Sequence, residues 1–379
     1  MSDARPSVLL MGDTLNFGGT EGQFVELACG LDRTRWDVDV ACIRAEGPLR
    51  ARLEAAGVHA WTCGRGSFKS PRLIGAIQAL VRHLRARRVQ IVHCFDFYSN
   101  VLGVLAARAA RVPAIIASQR DLGNLRPWHE QRIHSAMLRL ATHVLVNSDA
   151  TAERLAGTHA GRSGRLSVVR NGVDLARFRP ADSRRSGPDG LTVGTLANLR
   201  PEKGLLQLVD AARLVREQAP AVRFSIWGEG PLRPVLEARI HSLGLDDTVR
   251  LHGTTREPEK ALQSCDVFVL PSLSEASSNV LLEAMATALP VVTTRIGGNP
   301  GIIEDGRTGL LVPAGEPRAL AAAIGRFLTS PALASQVATA ARARALAEFG
   351  MNRMIEHMEG LYRRTLGLEA SVSTVGSRR

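Results

Sequence analysis

The stretch CDVFVLPSLSEASSNVLLEAMATALPVV, Cys265–Val292, carries the clearest pattern in the chain. Asp266–Leu270 is a short, nearly continuous apolar run of the kind that forms a strand buried on both faces. Pro271 ends it, because proline has no N–H to give a sheet. Glu275 opens a loop of small residues, and a helix is expected from about Asn279, with Glu283 one turn inside. Ser277, Ser278 and Asn279 have side chains small enough for backbone N–H groups to approach a ligand closely. A helix N-terminus presents unsatisfied N–H groups and a partial positive charge, so the segment from Ser277 to Val280 suits a diphosphate. An ionised Glu283 in the first helical turns can accept two ribose hydroxyl bonds.

Around this unit the same strand–loop–helix alternation repeats. Upstream and downstream of it, Leu191–Leu196, Ala221–Trp227, Val249–His252 and Pro290–Thr294 read as strands with helices between them. An earlier series has Ser7–Met11, Asp37–Ile43, Gln90–Cys94, Ala114–Ser118 and His143–Asn147 as strands, with a helix from about Gln23 to Leu31. Such alternation implies parallel sheets wrapped by helices. The fold class is therefore α/β, with two Rossmann-like doubly wound domains expected to face each other across a cleft. We assign residues 1–180 to the N-terminal domain, 190–350 to the C-terminal domain, and 351–379 to a C-terminal helix and tail that can pack back on the first domain. Arg170–Pro180 and the polar Ala181–Gly190 read as the linker, Ala332–Leu366 as one helical segment, and Ser371–Arg379 as a frayed end.

Composition narrows the function. The 379 residues are 45% hydrophobic and 22% charged, ordinary for a globular protein. Aromatics at 4% argue against a base-stacking nucleic-acid surface, and no nucleic-acid recognition motif appears. The net charge of +12 is uneven: residues 1–180 hold 25 Arg or Lys against 15 Asp or Glu, and residues 181–379 hold 23 against 21. The N-terminal half is thus the one expected to meet an anionic partner, whether a phosphorylated acceptor or an anionic membrane surface. Cys29, Cys42, Cys63, Cys94 and Cys265 form no Cys-x-x-Cys pair and no cluster of zinc spacing, and no Asp-x-Asp stands at a strand end. We expect no metal, no resident cofactor and a reducing cytoplasm, with no signal peptide or membrane span.

Further motifs sit at the loops where strands meet helices. NLRPEKGLLQLVDAARLV (Asn198–Val215) places Arg200 and Lys203 just before a helix. Gly18-Gly19-Thr20-Glu21 follows the first strand, and WGEGPLR (Trp227–Arg233) puts Gly228 in a tight strand-to-helix turn. With Glu275-x7-Glu283 followed by LEAMATALPVV, and with GGNPGIIEDGRTGLLVPAG (Gly297–Gly315), the chain resembles the family 4 glycosyltransferases of GT-B fold over nearly its whole length. The resemblance implies a retaining, metal-independent hexosyltransferase of bacterial polysaccharide or lipid-glycan type, using a nucleoside-diphosphate sugar. It implies that Glu275 touches the transferred sugar, that Lys203 and Arg200 grip the diphosphate, and that Glu283 binds the ribose. Gly18, Gly19, Gly228, Ser277, Ser278, Asn279 and Val280 complete the expected donor set. The pattern departs from the family at Asn198, where an arginine is usual, at Gly301, where an acid is common, and at Phe95, where a second histidine often stands.

That last departure leaves the acceptor side to His93, Asp96, Tyr98, Arg120 and Asp121, at the ends of two expected strands. The acceptor is expected to be a glycan, lipid-linked or small-molecule hydroxyl. The basic helix Arg72–Arg88 has Leu73, Ile77, Leu80, Val81 and Leu84 at helical spacing, either as a packed surface helix or as a contact for anionic lipid on the inner face of the cell membrane. Two alternatives share part of the pattern: a nucleotide-sugar epimerase of the same fold, and a basic nucleic-acid-binding protein.

Overall fold

A computed structural model describes residues 5–64, 72–181 and 190–368. The chain divides into two compact units, one made of Met1–Arg170 with Asn352–Arg379 and the other of Asn171–Met351.

The first unit is built on seven parallel strands: β1 (Ser7–Gly12), β2 (Asp37–Cys42), β3 (Ala60–Thr62), β4 (Ile91–Cys94), β5 (Ala114–Gln119), β6 (His143–Val146) and β7 (Leu166–Val168). Their order is β3-β2-β1-β4-β5-β6-β7. The central strands are mostly apolar because helices cover both faces of the sheet, and every residue of β1, β4 and β5 is buried, including the polar Ser7, His93, Ser118 and Gln119. The second unit has β8 (Thr192–Leu196), β9 (Arg223–Trp227), β10 (Val249–Gly253), β11 (Val267–Leu270), β12 (Val291–Thr294) and β13 (Leu310–Val312). Their order is β10-β9-β8-β11-β12-β13, again all parallel. In each sheet the order reverses beside the first strand, at β1/β4 and at β8/β11. In such sheets that is where ligands meet the carboxyl ends of the strands.

The strands missed by sequence reading are β3, β7 and β13, each of three residues at a sheet edge. A three-residue edge strand is too short to show a hydrophobic period. The boundary between units also lies earlier than expected. Asn171–Pro180, placed by sequence with the first domain, belongs to the second: Val173 and Phe178 are buried in its core. The Val173 amide donates to Phe349 O at 2.8 Å and the Met351 amide to Val173 O at 3.0 Å. That bridge also breaks the expected C-terminal helix into two, Pro331–Glu348 and Met351–Thr365. From Asn352 the second of these lies in the first unit, where Tyr362 and Leu361 are buried.

The basic helix runs from Arg72 to Ala86. Its Leu80 and Leu84 sit in the core of the first unit. Arg85 donates to Ala109 O at 2.7 Å and Arg87 pairs with Asp37 at 3.2 Å, so part of its cationic end is tied to its own unit. The expected frayed end Ser371–Arg379, and all but the ends of Ala181–Gly190, lie outside the described residues.

Candidate functional site

In the second unit, three loops at the carboxyl edge of the sheet are joined backbone to backbone. The Arg200–Gly204 turn follows β8, and its Glu202 carbonyl accepts from the Leu273 amide at 2.8 Å, in the loop after β11. Gly204 has φ +65°, and a Cβ there would lie 2.0 Å from Pro271 O; only glycine permits this approach. The turn after β9 is fixed the same way. Gly228 has φ +145°, with space for a Cβ closed by Ala197 O at 1.9 Å. The Leu199 amide donates to Glu229 O at 2.9 Å.

This registration brings Lys203 to Glu275. Lys203 Nζ donates to Glu275 Oε2 at 2.6 Å, with both side chains largely shielded, and Ser272 Oγ lies 3.4 Å from the same oxygen. The Glu275 carbonyl accepts from the Gly298 amide at 3.1 Å. Thr294 Oγ1 donates to Ser272 O at 2.6 Å, and the buried Asn299 amide bonds Thr293 Oγ1 and Thr294 O, both at 3.0 Å. Hydrogen bonds thus cross-brace the backbone around Glu275. Arg200 opens the turn with an exposed side chain.

The helix Asn279–Ala286 follows, and Ser278 at its N-cap makes no side-chain capping bond. A helix N-terminus carries a partial positive charge and directs backbone N–H groups outward, the arrangement that receives an anion. Asn171 Nδ2 reaches Asn279 Oδ1 at 2.6 Å. Sequence reading had placed Asn171 in a linker, and the Asn-Gly of RNGVD signalled only a turn. Ser277 and Val280 flank the same helix start. Burial pushes the Glu283 carboxyl up to about 7; nearby Arg177 opposes this, and Glu259 adds to it. Arg177 is itself paired with Glu259 at 2.8 Å.

In the first unit, Gly18 is the N-cap of the helix Gly19–Gly30, which carries Glu21 in its first turn. Asp96 opens the helix Phe97–Ala110, its amide donating to Ser99 Oγ at 2.9 Å. Asp13, which sequence reading did not single out, caps the same helix: it accepts from the Ser99 amide at 2.7 Å and the Tyr98 amide at 3.3 Å. Burial raises Asp13 and Glu21 and pushes Asp96 well above the carboxylate range, with the Asp13 and Glu21 charges adding to the last. Arg120 and Arg126 act in the opposite direction on Asp96. Burial brings the Arg120 guanidinium down to about 10, against the attraction of Asp96 and Glu21, and it lies 5.3 Å from the centre of the Phe95 ring. Asp121 pairs with Arg126 at 2.8 Å, and the Tyr98 side chain is exposed.

His93 does not join this group. It is fully buried, with Nδ1 2.7 Å from Tyr362 Oη and Nε2 3.0 Å from Ser118 Oγ, and desolvation holds its pKa at about 3. It stands inside a four-residue strand in which every residue is buried, and its ring lies against the C-terminal helix. The ring at the expected second-histidine position, Phe95, stacks on His93 with centroids 4.4 Å apart and has the Arg120 guanidinium 5.3 Å from its centre.

Comparison with known proteins agrees in both units. Residues 17–177 match the family described as Glycosyltransferase Family 4, and residues 188–330 match Glycosyl transferases group 1. A protein named as the colanic acid biosynthesis glycosyltransferase WcaL of Escherichia coli is 32% identical over 270 residues, 68% of this chain and 64% of that protein, so just under two thirds of its length is spanned. D-inositol 3-phosphate glycosyltransferase of Streptomyces scabiei is 27% identical over 91% of this chain and 86% of its own. Among solved structures, Anabaena Alr3699/HepE in complex with UDP-glucose superposes with a TM-score of 0.83 at 23% identity, covering 94% of this chain and 99% of that one.

Proposed function

The chain belongs to the family 4 glycosyltransferases and has their GT-B fold, and from that membership we propose that it transfers a hexose from a nucleoside-diphosphate sugar to a hydroxyl of a glycan, lipid-linked or small-molecule acceptor. The observation that carries the proposal is the Lys203–Glu275 pair, 2.6 Å apart, with Glu275 four residues before the start of the Asn279–Ala286 helix. Relatives bear on the chemistry: HepE is solved with UDP-glucose, and a D-inositol 3-phosphate glycosyltransferase is named for a phosphorylated acceptor.

Cleaving a glycosyl–phosphate bond leaves growing negative charge on the diphosphate. Catalysis requires groups that stabilise this charge more in the transition state than in the ground state. Lys203 and the N–H groups at the start of Asn279–Ala286 take that role, and Arg200, exposed at the start of the same turn as Lys203, is the further cation proposed for it. This set supplies the positive charge that a metal gives other transferases, so the proposed reaction is metal-independent. Glu275, held in place by Lys203 and Ser272, orients the sugar, and Glu283 takes the ribose hydroxyls. We propose that the anomeric configuration is retained, a reading supported by the resemblance to family 4 glycosyltransferases. Arg120, Asp96 and Glu21 form the polar surface proposed for the acceptor, and we place the reaction in the cytoplasm.

A screen of UDP-, GDP- and ADP-sugars, read by released nucleoside diphosphate with and without membrane extract, tests the proposal. Acceptor-dependent release from one donor is the expected result. A wild-type protein that binds no nucleoside diphosphate and releases none would overturn it.

A further inference from the structure

The first unit exposes large apolar side chains that its core does not use, and four of them occur on one stretch, Asp121–Leu140. Trp128 is 69% exposed, Leu125 65%, Ile133 43% and Leu140 37%. The helix Trp128–Leu140 holds itself to the protein through His134, Met137 and Leu138. At 100° per residue, Trp128, Arg132, Ser135 and Arg139 share the opposite side, with His129, Ile133 and Leu140 flanking it. The one acid of this helix, Glu130, lies about 200° around from Trp128, away from that face. The Arg132 guanidinium lies 6.0 Å from the centre of the Trp128 ring, so the cation and the indole project together.

We infer that this face, with Leu125 on the loop before it, is the surface by which the protein docks on an anionic lipid bilayer. The composition of the face selects the occupant. A protein partner of ordinary affinity needs a continuous patch of roughly 800 Å² with a desolvated apolar centre. Here apolar tips and guanidiniums alternate along about 18 Å of helix, so no apolar centre free of charge exists. The headgroup–acyl boundary of a membrane takes that alternation directly: Trp and Leu enter the boundary while Arg stays level with lipid phosphates. Among the described residues no helix is long and apolar enough to cross a membrane, so attachment through this helix would be peripheral.

The face also lies next to chemistry. Leu125 follows Asp121 by four residues, and Asp121 holds Arg126 beside the Asp96–Arg120 group. A lipid-linked acceptor resting in the bilayer would present its headgroup to the loop that carries those residues; this last step rests on the acceptor role proposed above.

The test uses the full chain with vesicles of phosphatidylglycerol or of phosphatidylcholine, by co-sedimentation at low and high salt. Binding to phosphatidylglycerol vesicles alone, weakened by salt, is expected. Leu125→Ser with Trp128→Ser should lower the partition coefficient at least about tenfold, since each removes a buried apolar side chain. Arg132→Glu with Arg139→Glu should do the same, whereas Ile74→Ser with Arg82→Glu, on the Arg72–Ala86 helix, should change it less than about twofold. Brominated lipid should quench a tryptophan signal that disappears in Trp128→Phe. Unchanged melting temperature and nucleoside-diphosphate affinity establish that the variants fold. No binding of the wild type, equal loss from the Ile74/Arg82 pair, no quenching, or a dimer that dissociates in the Leu125/Trp128 variant would each overturn the inference. Donor turnover with a water-soluble acceptor is read separately: it persists if only the docking surface is wrong, and is absent while vesicle binding persists if the transferase reading is wrong.

Discussion

Replacing Glu283 tests the donor site at its most unusual group. Burial raises this carboxyl from 4.5 to about 7, so near neutrality it is divided between the acid and the carboxylate. The proposed ribose contact needs the carboxylate, which accepts two hydroxyl bonds; the acid form loses part of that capacity. With a pKa of 7 the ionised fraction climbs from about a tenth at pH 6 to about nine-tenths at pH 8. Affinity for the nucleoside diphosphate should therefore rise by up to about tenfold over that interval. A ligand phosphate also titrates near pH 6, so the quantity to compare is the difference between the wild type and Glu283→Gln, measured by calorimetry at each pH. Glu283→Ala should lose at least about tenfold in affinity at pH 8, since each hydrogen bond to a charged group is worth roughly 1.5–3 kcal/mol.

Stability gives an independent check with opposite sign. The folded state retains a proton on Glu283 that the unfolded chain releases near 4.5. That contribution is fully present below pH 4.5 and is lost as pH rises through about 7. It is on the order of 3 kcal/mol. Glu283→Gln removes it, so denaturant unfolding of this variant should fall less steeply between pH 4.5 and 7 than that of the wild type. Identical pH dependence of both binding and unfolding in wild type and Glu283→Gln would refute the reasoning.

Lys203→Ala should lower kcat roughly a hundredfold or more in the donor assay, because it removes a preorganised donor to the leaving diphosphate, while EDTA leaves the wild-type rate unchanged. Strict dependence on added Mg²⁺ or Mn²⁺ would count against this. An α-linked donor should give an α-linked product, read by the anomeric proton coupling in NMR, and a β-linked product would remove retention. Tyr362→Phe takes the hydroxyl from buried His93 and should cost about 1–3 kcal/mol of stability by denaturant unfolding, with nucleoside-diphosphate affinity unchanged.

The sequence displayed the two sheets because their central strands are largely apolar runs, VFVL at Val267–Leu270 and IVHC at Ile91–Cys94 among them. It displayed the motif-bearing loops of the second unit because glycine and proline mark where those strands end, and Gly204 and Gly228 prove to be positions where a Cβ has no room. The ion pair between Lys203 and Glu275 was not legible, since seventy-two positions separate residues that only the β8–β11 neighbourhood brings together. Asp13 was hidden for a related reason: it follows β1 yet caps a helix that begins after β4. His93 drew attention as a polar residue at a strand end, but its partners come from β5 and from a helix 269 positions later. Nothing local to Gln90–Cys94 separates a histidine sealed in this way from one exposed to substrate.

That C-terminal helix has a consequence for how the polypeptide comes off the ribosome. The first unit is discontinuous in the chain: Met1–Arg170 is translated first, but its Trp36 ring and His93 imidazole meet Tyr362 only after the entire second unit has been synthesised. The Asp32 amide and Arg35 likewise await Glu359. Nascent chains usually complete their domains from the amino end onward. Here Asn171–Met351 can close on itself while the earlier segment still lacks its last helix. A product ending near residue 350 would leave a histidine and a tryptophan facing an empty groove, so premature termination damages the end of the protein made first.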